Sequence, residues 1–164
     1  MLLQCRSLFM GEVNRLPIDT ELDFSQVEFQ GVHPFSEPVR VIGEITVRAG
    51  VVQLSAHATF VFHGRCDRCL SSFERTYDVP LEHTLVATLE DEENDDYILL
   101  DQYQLDLADL TMADILLELP YKNLCREDCQ GLCPMCGKNL NEGLCGCTHK
   151  SVDPRLAVLG QLLE

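Results

Sequence analysis

The sequence predicts an α+β protein: an antiparallel β-sheet, curled toward a small barrel, packs with one helix and carries a cysteine-rich C-terminal region. Three observations predict it. Apolar residues alternate at period two across residues 39–62, interrupted by Ala49-Gly50; one stretch between Asp106 and Pro120 has helical spacing; and eight of the nine cysteines fall in two tracts. Period two places alternate side chains on one face of a strand, whereas a period near 3.6 does so on a helix.

In chain order, the first 30 residues give a mixed signal, with Leu2, Leu8, Phe9 and Leu16 fitting either a short helix before Pro17 or an irregular arm. Residues 21–29 are weakly strand-like through Leu22, Phe24, Val27 and Phe29, but lose phase at Ser25-Gln26. Val39, Val41, Gly43, Ile45 and Val47 then alternate with Arg40, Ile42, Glu44, Thr46 and Arg48. After the turn at Ala49-Gly50, Val52, Leu54, Ala56, Ala58, Phe60 and Phe62 repeat the pattern, so the two runs form an antiparallel hairpin. Phe73, Tyr77 and Val79, followed by Leu81, Leu85, Ala87 and Leu89, predict one or two more strands, with Pro80 marking a bend or an edge. Residues 97–100 fit another.

Asp106 is placed as a helix N-cap, Asp109 puts a carboxylate in the first turn, and Pro120 stops the helix. Thr111, Asp114 and Glu118 form a narrow polar stripe, leaving Ala108, Met112, Ile115, Leu116 and Leu119 as the face expected to meet the sheet. A last helix is expected from Asp153 as N-cap and Pro154, with Leu156, Leu159 and Leu163 docking at home or, less favoured, on a partner. The expected organisation is a sheet-and-helix domain over 1–120 with a loosely assigned N-terminal arm. A cysteine-rich region with the terminal helix, over 121–164, packs on it.

Composition narrows the function. No apolar stretch approaches the roughly 20 residues that span a bilayer, and Met1-Leu2-Leu3-Gln4-Cys5-Arg6 lacks the basic-then-apolar order of a secretory signal. A cytoplasmic protein with no membrane role and no small-molecule substrate is expected. Cytosolic thiols are kept reduced, and nine is an odd number, so metal explains the cysteines better than disulfides. The net charge of −15 opposes general attraction to nucleic-acid phosphates. Part of it lies in Glu90-Asp91-Glu92-Glu93-Asn94-Asp95-Asp96, a solvated loop or a dock for a basic protein.

The thiols lie in Cys66-Asp67-Arg68-Cys69, in the tract holding Cys125, Cys129, Cys133 and Cys136, and in Cys145-Gly146-Cys147. A C-x-x-C turn brings two thiolates onto one metal, and a following glycine lets the backbone fold beneath it, as in Cys133-Pro134-Met135-Cys136-Gly137. Four thiolates close a tetrahedral zinc site with no position left for water, so one or two structural Zn²⁺ ions are expected. Local closeness groups Cys133 and Cys136 with Cys145 and Cys147, and Cys66 and Cys69 with Cys125 and Cys129, leaving Cys5 over. A shuffled pairing, one ion with spare thiols, or His63 or His149 in place of a thiol stays open. The spacing matches neither common ferredoxin run, and no H-E-x-x-H or deaminase signature indicates catalytic zinc. His33, His57 and His83 lack nucleophile spacing, so no catalytic residue is expected. Arg65, Arg68 and Arg75 near the first knuckle, and Lys122, Arg126, Lys138 and Lys150 near the second, are scattered solubilising charge or a local basic face.

Taken together, Cys66-Asp67-Arg68-Cys69-Leu70, the Leu119-Pro120 helix end and the tract from Asp128-Cys129-Gln130-Gly131-Leu132-Cys133 through Pro134-Met135-Cys136-Gly137-Lys138-Asn139-Leu140-Asn141 resemble the YceD family, the large ribosomal RNA subunit accumulation proteins. Asp153-Pro154-Arg155-Leu156-Ala157-Val158-Leu159 resembles the family's usual ending. The resemblance covers residues 39–163. It implies a bacterial or plastid factor, not an enzyme, that supports build-up of large-subunit rRNA in ribosome biogenesis. Its expected partner is a ribosomal protein or a pre-ribosomal large-subunit particle, with direct rRNA contact also open. The rival readings are a zinc-ribbon module that binds nucleic acid directly and a thiol-based redox or zinc sensor.

Overall fold

A computed structural model describes residues 1–88 and 96–147. The acidic run before Asp96, the expected terminal helix, His149 and Lys150 lie outside the described residues. The chain divides into two units, Met1–Gly64 with Ser72–Asn123 and Arg65–Ser71 with Leu124–Glu164.

The first unit is built on a five-stranded sheet of β2 (Arg15–Leu22), β3 (Val39–Arg48), β4 (Val51–Arg65), β5 (Ser72–Val86) and β6 (Tyr97–Leu99), in that order. The sheet curls as a half-barrel. β3 and β4 form the expected hairpin, with Val41 opposite Ala58 and Ile45 opposite Leu54. Ala49 and Gly50 turn it with φ of 50° and 81°, the left-handed pair a two-residue hairpin loop needs. Every second residue of β4 from Val52 to Phe62 is buried. Gly43 marks a close approach inside the sheet: a Cβ there would lie 2.3 Å from Ala56 Cα and 2.3 Å from Ser55 O. Only glycine admits this packing.

Three features depart from expectation. Residues 15–22, expected to be helix or arm, form β2, whose Leu16, Ile18, Thr20 and Leu22 alternate with charged neighbours and Pro17. β2 is the edge strand, so the missing N–H of Pro17 removes no bond the sheet requires. Residues 23–35 are irregular rather than a strand, yet Phe24 and Phe35 are buried and meet edge to face. Third, β6 joins β5 in parallel, Leu85 opposite Ile98. It covers only residues 84–86 of β5, which is why Pro80 is tolerated in a single long strand.

β1 (Leu2–Gln4) pairs antiparallel with β7 (Gln104–Asp106), and a short helix α1 (Arg6–Phe9) follows β1. Helix α2 (Leu107–Glu118) begins where predicted: the Asp106 carboxylate accepts from the N–H groups of Ala108 (3.0 Å) and Asp109 (3.4 Å). Its buried stripe, however, is Leu107, Thr111, Ile115 and Leu119, while Leu116 and Leu117 are exposed. The helix docks on a narrow i, i+4 ridge that takes Thr111 fully into the core, where its Oγ1 has no hydrogen-bond partner among the described residues. The polar stripe loses Asp114 as well, because Asp114 Oδ2 lies 2.6 Å from His83 Nε2 on β5. The core itself is aromatic and aliphatic, with Phe60 stacked on Tyr77 and Phe62 edge-on to Phe29, Phe35 and Tyr77. Among the described residues, no helix is long and apolar enough to cross a membrane.

Candidate metal centre

The second unit contains two knuckles closed by the same pair of backbone hydrogen bonds. In the first, Cys66 N donates to Ser71 O (2.9 Å) and Leu70 N to Cys66 O (2.8 Å); in the second, Cys133 N donates to Lys138 O (2.8 Å) and Gly137 N to Cys133 O (2.8 Å). The residue after the second cysteine has positive φ in both, 62° at Leu70 and 72° at Gly137. Glycine adopts that conformation freely, whereas a side chain there costs about 1–2 kcal/mol. The second knuckle therefore carries the legible sequence signal, and the first does not.

Cys66, Cys69, Cys125 and Cys129 converge in one group, and Cys133, Cys136, Cys145 and Cys147 in another, with all sulfurs of a group within 4.8 Å of one another. Cys66 and Cys129 Sγ are 3.7 Å apart, and Cys69 and Cys125 Sγ 3.6 Å. A tetrahedron with metal–sulfur bonds of about 2.3 Å has an edge of about 3.8 Å. These spacings therefore suit four ligands on one ion and are far too long for a disulfide of about 2.05 Å. The residues fit a thiophilic divalent cation, which would draw four thiolates into a closed shell. Cys5 belongs to neither group: it is buried in the core of the first unit, and burial pushes its thiol up. His63 is not a ligand there either, its Nδ1 lying 3.4 Å from Glu74.

Without a cation the thiols cannot all ionise. Burial opposes ionisation of Cys66, yet the N–H groups of Cys125, Cys69 and Arg68 outweigh it and hold its thiol down to about 6. Cys133 is held down to about 6 first by the N–H of Cys136, against burial, with help from the N–H of Met135. The last proton in each group is correspondingly hard to remove. Burial, then sharing with Cys69, pushes Cys125 up to about 12, and sharing with Cys136, then burial, does the same to Cys147. A divalent ion is what relieves such crowding.

The groups differ in cover. In the first, Cys66, Cys69 and Cys129 are buried at 0%, 5% and 2% exposure; in the second only Cys133 is buried, and Cys136 is exposed. Around the first, Ser71 Oγ lies 3.4 Å from Cys69 Sγ, and Arg68 Nη1 donates to Cys129 O at 2.8 Å. Asn141, which the sequence places in the family-like tract without a role at the cysteines, donates from Nδ2 to Cys129 Sγ at 3.3 Å. Its Oδ1 accepts from Gln130 N and Arg126 Nη2, both at 2.8 Å. Among the described residues of this unit, the buried side chains are cysteines alone. The cysteine groups stand where a small domain would otherwise need an apolar core, and a bound ion would supply that stabilisation.

The basic residues are largely occupied within their own unit. Besides the bonds of Arg68 and Arg126, Arg126 Nε lies 3.2 Å from Asp128 Oδ1, Lys138 Nζ donates to Leu144 O at 3.1 Å, and Arg75 lies over the Phe73 ring. His33 and His57 have ordinary partners, Val27 O and Asp78. In the first unit, a polar groove of about 400 Å³ is lined by Glu44, Glu82, His83 and Asp96 as well as Arg48.

With this geometry in hand, comparison with known proteins identifies the family. The chain belongs to the family described as large ribosomal RNA subunit accumulation protein YceD, whose model matches residues 54–163, about two thirds of the chain. Uncharacterized proteins of Mycobacterium tuberculosis and Mycobacterium bovis are each 36% identical over 104 residues, 61% of this chain and 50% of the relative. An uncharacterized protein of Mycobacterium leprae is 33% identical over 132 residues, 80% of this chain and 56% of the relative. The chain thus spans about half the length of the curated relatives it matches. No solved structure matches it.

Proposed function

From that family membership, we propose that this chain is a non-enzymatic factor supporting accumulation of large-subunit ribosomal RNA, acting by binding a ribosomal protein or a pre-ribosomal large-subunit particle. The observation that carries the reading is the family match over residues 54–163, joined to two all-cysteine tetrads that leave no ligand position for a reacting water. Zinc is the ion that suits four thiolates in closed tetrahedra, and its role here is to hold the second unit folded. Charge supports a basic protein as partner. The chain carries 27 acidic against 12 basic residues, and Glu44, Glu82 and Asp96 line one groove. Arg68, Arg126 and Lys138, which a zinc-ribbon reader of phosphate would present, make hydrogen bonds inside their own unit.

The test is depletion of the protein in its own host, with the ratio of large- to small-subunit rRNA as readout. The reading expects that ratio to fall and to recover with the wild-type gene but not with Cys129→Ser. Purified chain is then titrated with basic large-subunit proteins and with rRNA across a salt series. Binding to rRNA alone, with a steep loss as salt rises, would replace the protein-binding reading by direct phosphate contact.

A further inference from the structure

The two cysteine groups are joined by one side chain. Asn141 lies in the 137–144 loop that the second group closes, between Cys136 and Cys145 in sequence. Its amide nevertheless reaches the first group. Nδ2 donates to Cys129 Sγ at 3.3 Å and to Asn139 Oδ1 at 2.8 Å, while Oδ1 takes the Gln130 N–H and Arg126. With two donors on one side and two acceptors on the other, the orientation of the amide is fixed by its neighbours. Asn139 in turn accepts from Asn141 N at 3.1 Å, and Leu140 N donates to Gly131 O at 2.9 Å. The loop is thereby tied to the segment that leads out of Cys129.

We propose that the two centres are unequal and linked: the buried centre of Cys66, Cys69, Cys125 and Cys129 retains its ion, the exposed centre of Cys133, Cys136, Cys145 and Cys147 exchanges with solvent, and Asn141 carries the linkage. The inference rests on reading the tetrads as metal centres. An ion in the buried centre fixes the position of Cys129 Sγ, which accepts from the Asn141 amide at 3.3 Å. That bond holds the 137–144 loop in the shape that closes the exposed centre, so filling the first raises affinity at the second. Linkage makes the effect reciprocal. Outer partners of metal ligands typically change affinity by about 10–100-fold, which sets the scale. Asn141 is a positioning residue here, since it touches a ligand and not the ion.

The full chain loaded with Zn²⁺ is mixed with a chromogenic chelator, and free thiols are alkylated at intervals and mapped by mass spectrometry. Release is expected in two phases, the first exposing Cys133, Cys136, Cys145 and Cys147 and the second the other four. Asn141→Leu, similar in volume but without an amide, accelerates the first phase about tenfold. Cys66→Ser, which disables the buried centre from the other side, accelerates release from the exposed centre by the same factor, and adding Asn141→Leu to it gives no further change. Release in one phase, labelling of the buried group first, or an unchanged first phase in Asn141→Leu would overturn the linkage while leaving the centres themselves intact. A chain that takes up no zinc would overturn the metal reading too.

Discussion

Metal removal is expected to affect the two units differently. The apolar core consists wholly of residues of the first unit, from Leu8 and Phe35 to Ile115 and Leu119. The second has only Cys66, Cys69, Cys129 and Cys133 as buried side chains among the described residues. The described part of this unit has no apolar core to offset the entropy of ordering it, so if the tetrads hold zinc, the binding free energy of the ions, about 10–16 kcal/mol for a structural zinc near neutral pH, would supply its folding free energy. Treatment with a strong chelator should leave β3, β4 and α2 folded and unfold residues 65–71 and 124–147. Hydrogen exchange read by mass spectrometry reports both at once. The amides of Leu70, Leu132, Cys133, Gly137 and Leu140, all hydrogen-bonded in the folded unit, should fall to the rates of unstructured peptide, while those of the β3–β4 hairpin stay protected. Persistent protection at Cys133 and Gly137 in metal-free protein would refute the reasoning, as would simultaneous loss in the hairpin.

Three other outcomes are expected. Gly43→Ala would place a methyl group 2.3 Å from Ala56 Cα; forcing β3 and β4 apart should cost about 3 kcal/mol and lower Tm by about 10–20 °C, measured by calorimetry, and a loss under 1 kcal/mol would contradict the close approach. Leu70→Gly relieves a left-handed leucine that is 56% exposed, so the zinc-loaded protein should gain about 0.5–1 kcal/mol after the extra flexibility of unfolded glycine is counted, read as slower chelator-driven unfolding. Acid should strip the metal with a changing slope. Cys66 and Cys133 are held near 6, below the ordinary thiol value of 9.0, so between those limits each centre already has a thiolate before metal arrives. As pH falls through 6 that thiol takes its proton, one more proton competes per ion, and log affinity against pH should steepen there in a zinc-competition titration.

Much of this was legible from residue pattern because the β3–β4 hairpin and the Asp106 cap depend on local chemistry: alternation, a turn at Ala49-Gly50 and an oxygen acceptor before a helix. β2 was not, because Pro17 argues against a strand until the sheet order shows it at an edge. Helix α2 misled differently. Its apolar residues surround nearly the whole helix, so the wheel could not say which narrow ridge would dock, and Thr111 rather than Leu116 went inside. At the cysteine groups, the CPMCG knuckle announces itself through Gly137, while Leu70 conceals the same turn in the first knuckle. Asn141 closes the tract that resembles the family, but nothing in that tract marks it as a partner of a cysteine. Only the folded path of the 137–144 loop brings its amide to Cys129, and no spacing rule along the chain encodes a hydrogen bond to sulfur.

The most direct measurement is the zinc content per chain, by elemental analysis of protein purified without added metal, paired with a count of reactive thiols in the native state. Two closed tetrads predict about two zinc ions and reaction of all eight ligand cysteines slower than in the metal-free chain, slowest at Cys66, Cys69, Cys125 and Cys129. A metal-free chain whose eight thiols react freely while residues 124–147 remain folded would contradict the account.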